Sequence, residues 1–404
     1  MSGARTLGRL TRQAFRVARE LASDLPVALR REYRYYTGHR PRALLCLTWA
    51  CTSRCAMCTS WRRPRKKSQE LTAEEWLQVG RKLASRGVRT VELFGGDVLL
   101  RKEVVFPLIK ELDSLGCDIH MATNCNLLDE ETARALADSV HTIYLSTDGV
   151  EDTHDRVRGV DGTFARVCQA LERLLQARGD RKRPKLVCIT TVSKDNCRDV
   201  LKVARFAIQA GYDHIEIDPV GEIPPESIPR SMIGDCAPSP IFLKTGESVL
   251  VPPREIPVLR RLLRTVRQEL QGANGKNGHF SVESGDIDYL SDAQLAKGVF
   301  PFRRCFMERC CVVIDPYGNL VPCVLFDTYA VDNVRSGALE RSWETARRAR
   351  FRAYRDSGRL ELCRYCHMTP VWNKTARDLF RRALLAGLDG PADEPTHPND
   401  ADER

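Results

Sequence analysis

Residues 46–58 read CLTWACTSRCAMC, four cysteines in thirteen positions. The apolar run at 44–48 that leads into them has the length and composition of a buried strand. Cys51, Cys55 and Cys58 therefore fall on the loop after that strand, while Cys46 lies inside it and reads as core. A structural zinc site takes four ligands, usually as two pairs. Three thiols on one loop leave one position of a metal group open.

Working outward, further apolar runs stand at 90–94, 118–122, 142–146, 186–191 and 214–217, with amphipathic stretches near 73–86, 103–115, 130–138, 164–177 and 199–210 between them. This repeated β-α pattern predicts a parallel sheet with helices outside. Six units are too few for a closed eight-stranded barrel, so an open partial barrel or a doubly wound sheet fits. Polar and glycine residues follow each strand: Gly95-Gly96-Asp97, Thr123-Asn124, Ser146-Thr147-Asp148-Gly149, Thr190-Thr191 and Asp218-Pro219. Sites in parallel α/β folds lie at these C-terminal strand ends. One such turn would be ordinary turn chemistry; a full set beside a cysteine triplet marks a site.

The 404-residue chain has a net charge of +10 and sixteen cysteines. No run of about 18 apolar residues appears, so no membrane span is expected. No secretory signal pattern opens the chain, which points to the cytoplasm. Clustered cysteines in a reducing compartment read as metal ligands rather than a disulfide framework. The positive charge is dispersed without interleaved aromatics, so no nucleic-acid partner is expected.

A second cysteine set comprises Cys305, Cys310, Cys311, Cys323, Cys363 and Cys366. The stretch VVIDPYGNLVPC (312–323) reads as strand, tight turn and strand, able to aim thiols at one ion, and Cys363-x2-Cys366 adds a pair at metal-type spacing. Four cysteines in two pairs also suit zinc.

The Cys-x3-Cys-x2-Cys loop resembles the signature of the radical S-adenosylmethionine (radical SAM) enzymes. FGGDVLLRKE (94–103) resembles their Gly-Gly-Glu-Pro stretch, with Asp97 for Glu and Val98 for Pro. ATNCNLLD (122–129) resembles their Thr-Asn-Gly-x-Leu-Leu strand end, with Cys125 for Gly. STDGVEDTHDRVRGVDGTF (146–164) resembles a segment of the subgroup with extra clusters, matching at Ser146, Asp148, Gly149, His154, Arg158 and Gly159. Residues 305–366, including DNVRSGALERSWETA (332–346), resemble the SPASM/twitch auxiliary-cluster extension.

The resemblance implies an α/β fold, a partial (β/α)6 radical SAM barrel with a small SPASM/twitch-like domain. It implies that Cys51, Cys55 and Cys58 hold a [4Fe-4S] cluster whose free iron binds SAM, and that an electron splits SAM to a 5′-deoxyadenosyl radical that abstracts hydrogen from substrate. Gly95, Gly96, Asp97, Thr123, Asn124, Ser146 and Thr191 would lie near SAM. No cysteine follows Cys366, so one auxiliary [4Fe-4S] cluster on Cys305, Cys323, Cys363 and Cys366 is the implied count, with Cys310 or Cys311 able to replace one ligand. The implied partners are an electron donor such as flavodoxin or ferredoxin and a natural-product, sugar, lipid or peptide substrate. The short leader disfavours an added winged-helix peptide-recognition domain and thereby a peptide, and no cobalamin-binding domain is apparent. A non-catalytic iron–sulfur electron carrier and a zinc-binding interaction protein are the other two readings; neither requires SAM-type strand ends.

The chain divides by composition into a basic helical segment at 1–42, a core at 43–220, a Pro- and Gly-rich connecting segment with one helix at 221–300, the auxiliary domain at 301–370, and a C-terminal helix with a disordered acidic tail at 371–404. Residues 5–22 set Leu7, Leu10, Ala14, Val17 and Leu21 at heptad-like spacing among arginines. Such a helix docks on its own domain or lies on an anionic membrane.

Overall fold

The computed structural model describes residues 40–270, 273–275, 278–300, 305–337, 339 and 344–367, together with positions 25, 26, 29, 33, 34 and 37. The proposed amphipathic stretch at 5–22 and the acidic tail lie outside the described residues. Residues 1–37 and 374–404 form one unit and residues 38–373 another. Every strand among the described residues belongs to the second unit.

Six parallel strands run in chain order: β1 (Arg42–Thr48), β2 (Thr90–Gly95), β3 (Asp118–Thr123), β4 (Thr142–Ser146), β5 (Lys185–Val192) and β6 (His214–Pro219). Between them lie α1 (Ala73–Ser85), α2 (Lys102–Ser114), α3 (Glu130–Ser139), α4 (Asp152–Arg158), α5 (Thr163–Arg178) and α6 (Val200–Ala210). The α/β reading of the pattern therefore stands, and the helices begin where local chemistry starts them. At α1, Thr72 accepts from the Glu75 amide while the Glu75 carboxylate accepts from Thr72, a capping box that satisfies two otherwise unpaired amides. The α1 stripe of Trp76, Val79 and Leu83 is buried. Residues 43–48 of β1 are all buried, as expected of a strand covered on both faces.

The connecting segment supplies α7 (Ile256–Leu270), which packs on α6, a two-stranded ribbon of β7 (Asn274–Gly275) and β8 (Gly278–His279), and β9 (Ser281–Glu283). Strand β9 pairs parallel to β6. The short helices α8 (Gly285–Tyr289), α9 (Asp292–Lys297) and α10 (Phe306–Cys310) follow.

The C-terminal cysteine region does not build a sheet of its own. Its strand β10 (Cys311–Ile314) pairs parallel to β1, placing Cys311 opposite Arg42. Strands β11 (Asn319–Val321) and β12 (Asp332–Asn333) then add antiparallel. The result is one ten-stranded mixed sheet in the order β12-β11-β10-β1-β2-β3-β4-β5-β6-β9. The expected hairpin is present, with its turn at 315–318 held by Asp315, whose Oδ1 accepts the amides of Tyr317 and Asn319. Helix α11 (Ala346–Asp356) and a 3-10 turn (Glu361–Tyr365) carry the chain to the last cysteine pair.

Candidate active site

The cysteine loop is pinned from three sides. On the first, the Gly96 amide donates to the Thr48 carbonyl (2.8 Å) and the Asp97 amide to the Ala50 carbonyl (2.7 Å). A Cβ on Gly96 would stand 2.1 Å from the Ala50 oxygen, and one on Gly95 2.2 Å from the Thr48 oxygen. Gly95 also has a φ of 138°. The glycine pair therefore lets β2 lie against the start of the cysteine loop.

On the second side, Thr52 donates to Asp97 Oδ2 (2.5 Å) and accepts from Asn124 Nδ2 (2.9 Å) and Asn126 Nδ2 (3.0 Å). Asn124 also reaches Ser53 (3.1 Å) and the Cys51 sulfur (3.8 Å). Asp97 is buried, and burial pushes its carboxyl up against the opposing hydrogen bond from Thr52.

On the third side, the Arg54 and Ala56 amides donate to the carbonyls of Arg158 (2.9 Å) and Val157 (3.1 Å) at the end of α4. Gly159 ends that helix at φ 67°, where a Cβ would meet the Arg54 oxygen at 2.5 Å. The Arg158 guanidinium lies 2.6 Å from Asp148 Oδ2 and 3.7 Å from the Cys55 sulfur. Asp148 is fully buried; its Oδ1 accepts the Thr191 amide (2.8 Å), and its own amide donates to His154 Nδ1 (3.1 Å). Burial alone would strip charge from both members of the pair; Asp148 holds Arg158 protonated.

The three thiols sit within electrostatic reach of one another, and burial pushes Cys55 up to about 11, opposed by Arg158. In the second set, burial raises Cys323 well above the usual thiol range, and neighbouring Cys366, Cys305 and Cys363 raise it further. The structure thus gathers Cys305, Cys323, Cys363 and Cys366. Cys311 instead lies on β10 with Arg42 and Glu92 about it. A zinc ion needs donors about 2.3 Å from one point. Among the described residues no three Cys, His, Asp or Glu side chains close in on a single ion. Both sets are free thiols, Cys55 and Cys366 buried and Cys51, Cys58, Cys305, Cys323 and Cys363 half-buried, and cysteine thiolates are the ligands an iron–sulfur cluster takes.

The other predicted residues are placed less uniformly. Thr123 is buried with its hydroxyl accepting the Cys125 amide (3.0 Å), which holds Cys125 at φ 68°, the left-handed region that favours glycine. Ser146 stands half-buried at the end of β4, and Thr191 is engaged through its backbone. A cavity of about 350 Å³ opens beside Ala56 and Met57 of the cysteine loop, lined also by Arg156, Lys194 and residues of 221–249. None of Gly95, Gly96, Asp97, Thr123, Asn124, Ser146 or Thr191 lines it. The segment 221–249 is itself anchored, with the Thr59 amide donating to the Ile241 carbonyl (2.7 Å) and the Ser239 amide to the Leu325 carbonyl (2.8 Å). It joins the cysteine loop to the auxiliary region.

Sequence reasoning missed Thr52, Asn126 and the roles of Asp148 and Arg158. It also missed a buried brace under β1, where Arg101 lies 2.7 Å from Glu70 and Glu70 accepts from Thr48 (2.8 Å). Asp148 and Arg158 stood in a matched segment; the brace carried no local signal.

Comparison with known proteins agrees with this geometry. Residues 46–207 match the Radical SAM superfamily and residues 305–367 match the iron-sulfur cluster-binding SPASM domain. The chain belongs to the radical SAM superfamily and carries a C-terminal SPASM domain. Its cofactors are those of the two domains, SAM and [4Fe-4S] clusters. It is 30% identical over 166 residues to the sporulation killing factor maturation protein SkfB of Bacillus subtilis, covering 41% of this chain and 39% of SkfB. It is 26% identical over 344 residues to the PqqA peptide cyclase of Rhizobium meliloti, covering 82% of this chain and 80% of the cyclase. The chain thus spans about two fifths of SkfB and four fifths of the cyclase. In fold it is similar to Streptococcus suis SuiB bound to S-adenosylmethionine (TM-score 0.56, 16% identity, 84% of this chain and 76% of that one). It is also similar in fold to anSMEcpe with bound AdoMet (TM-score 0.59, 17% identity, 87% and 100%).

Proposed function

We propose that this chain is a SAM-cleaving enzyme that abstracts hydrogen from a peptide. The observation that carries the first part is the loop of Cys51, Cys55 and Cys58 pinned against Asp97 and Asn124 at the strand ends and Arg158 at the end of α4. The peptide part rests on the names of its relatives, a peptide cyclase and a maturation protein, and on a SuiB structure of similar fold bound to its precursor peptide. When bound, the reduced cluster and SAM together supply a carbon radical able to take hydrogen from an unactivated C–H bond.

The chain's own residues have separate tasks. Cys51, Cys55 and Cys58 hold the N-terminal cluster. Gly95 and Gly96 bring the β2 backbone to the loop. Asp97 and Asn124 hold Thr52 and Ser53 and fix the loop's shape. Arg158 places a positive charge beside the Cys55 sulfur, which favours its thiolate. Ser146 and Thr191 stand at the same strand ends as the farther wall of the SAM site. Cys305, Cys323, Cys363 and Cys366 hold the auxiliary cluster. The cavity beside Met57, walled by residues of 221–249, would receive part of the substrate next to the loop.

Among the described residues no helix is long and apolar enough to cross a membrane. We place the enzyme in the cytoplasm, where free thiols and a protein electron donor are both available. The reading is tested by mixing reconstituted protein, SAM and dithionite with short peptides encoded beside its gene, and reading peptide mass. A SAM-dependent mass change in one peptide supports it. Cleavage of SAM with every such peptide unchanged would remove the peptide part and leave the chemistry.

A further inference from the structure

We propose that the exposed arginine face of α11, continued by Arg359, is the docking surface for an acidic electron-carrier protein. The proposal rests on the reading of the chain as an iron–sulfur enzyme.

Helix α11 reads ARRARFRAYRD, and the helical period sorts its arginines. Arg348 and Arg352 turn inward to buried Glu308, at 3.8 and 3.2 Å, and Arg352 also meets Glu344 at 2.7 Å. Arg347 and Arg350 turn outward and are exposed, as is Arg359 beyond the helix. Among the described residues none of these three pairs with a carboxylate. Each guanidinium instead lies over a tyrosine ring: Arg347 over Tyr329 (4.5 Å), Arg350 and Arg359 over Tyr354 (5.7 and 5.4 Å). A ring contact orients the guanidinium without neutralising it. Many exposed arginines elsewhere are matched, such as Arg198 with Glu255, Arg205 with Glu269 and Arg335 with Glu75. Among the described residues the outward face of α11 is thus a preoriented patch of positive charge that no carboxylate meets.

Its position indicates what docks there. Arg348 and Arg352 tie the same helix to Glu308 on α10, the helix capped at its N-terminus by Cys305, so α11 lies beside the auxiliary cysteines. The chain passes from α11 through Gly358 directly into the turn that bears Cys363. No residue of α11 lines the cavity at the other cysteine loop. A substrate bound in that cavity would gain nothing from this patch. A protein that delivers electrons would, because it must bring its redox group close to a cluster and be held only transiently. Complementary charge steers such encounters and makes them sensitive to salt.

The test uses reconstituted holoprotein and an oxidised acidic flavodoxin as the probe, with affinity read by calorimetry at low and high ionic strength. Arg347→Glu/Arg350→Glu should weaken binding at low salt by about tenfold or more. Arg261→Glu/Arg264→Glu, the same charge change on α7, should leave it within about twofold. High salt should weaken wild-type binding and narrow the difference. SAM cleavage driven by dithionite should be the same in all three proteins. Equal losses in both variants, or no loss in the first, would overturn the proposal, as would equally tight binding of double-stranded DNA to the patch. If dithionite fails to drive SAM cleavage in wild type, the enzymatic reading fails instead, and the two failures are distinct.

Discussion

Arg158 stands between Asp148 and Cys55, 2.6 Å from the carboxylate and 3.7 Å from the sulfur. One half-buried cation thus joins the α4 end to the cysteine loop. Removing it leaves Asp148 charged and unpaired in the interior. Arg158→Ala should cost about 3–5 kcal/mol in denaturant unfolding. Arg158→Lys keeps the charge but not the fork, and should fall between. An alanine variant as stable as wild type would show that this brace is not structural.

Gly96 is fixed by packing, since its missing Cβ would overlap the Ala50 and Trp49 carbonyl oxygens at 2.1 and 2.8 Å. These are backbone atoms and cannot swing away. Gly96→Ala should displace the cysteine loop and lower iron retained at the N-terminal set, read by iron content after anaerobic reconstitution. An unchanged iron content with weaker SAM binding would assign the glycine to cofactor contact alone.

Asp97 accepts from Thr52 on one oxygen and from the Leu99 amide on the other (3.2 Å). Asn offers one acceptor and one donor, so Asp97→Asn leaves a buried donor unmatched. It should cost about 1–3 kcal/mol in stability. The unfolding midpoint, compared at equal m-value, reads this loss.

The six β-α units were legible because apolar runs of strand length alternate with helical stripes, as at 90–94 and 73–86. The cysteine loop was legible from spacing. The merger of β10 with β1 was not, because strand pairing between elements so far apart in the chain depends on which sheet edge is free. Nor was the Arg158 brace, since a charge pair formed between a strand end and a helix end leaves no periodic mark. Leader length argued against a peptide, whereas one relative of similar extent is named a peptide cyclase.

His154 is buried, with Nδ1 accepting the Asp148 amide, and burial followed by the Arg158 charge pushes it down to about 3. The unfolded chain takes up that proton near pH 6.5, whereas the folded one does not. The stability contribution is therefore complete above about pH 6.5 and falls by about 1.4 kcal/mol per unit as pH drops toward 3. His154→Asn keeps an acceptor near the Nδ1 position and removes the titration. Between pH 7.5 and 5.5 wild type should lose about 1.4 kcal/mol more than this variant. Equal losses would mean that His154 does not titrate this way.

The auxiliary set should behave as a separate metal centre. Cys323→Ala should remove about half of the iron and leave the N-terminal cluster's signal on SAM addition intact. One zinc per chain with iron only at the N-terminal set would replace the auxiliary cluster with a zinc site.

The most direct test of the central claim is release of 5′-deoxyadenosine from reconstituted protein with SAM and dithionite, read by chromatography. Wild type should release it slowly even without substrate, Cys55→Ala should release none, and Cys323→Ala should still release it. A wild-type protein with a full, reducible N-terminal cluster that yields no 5′-deoxyadenosine, with or without peptide, would contradict the account.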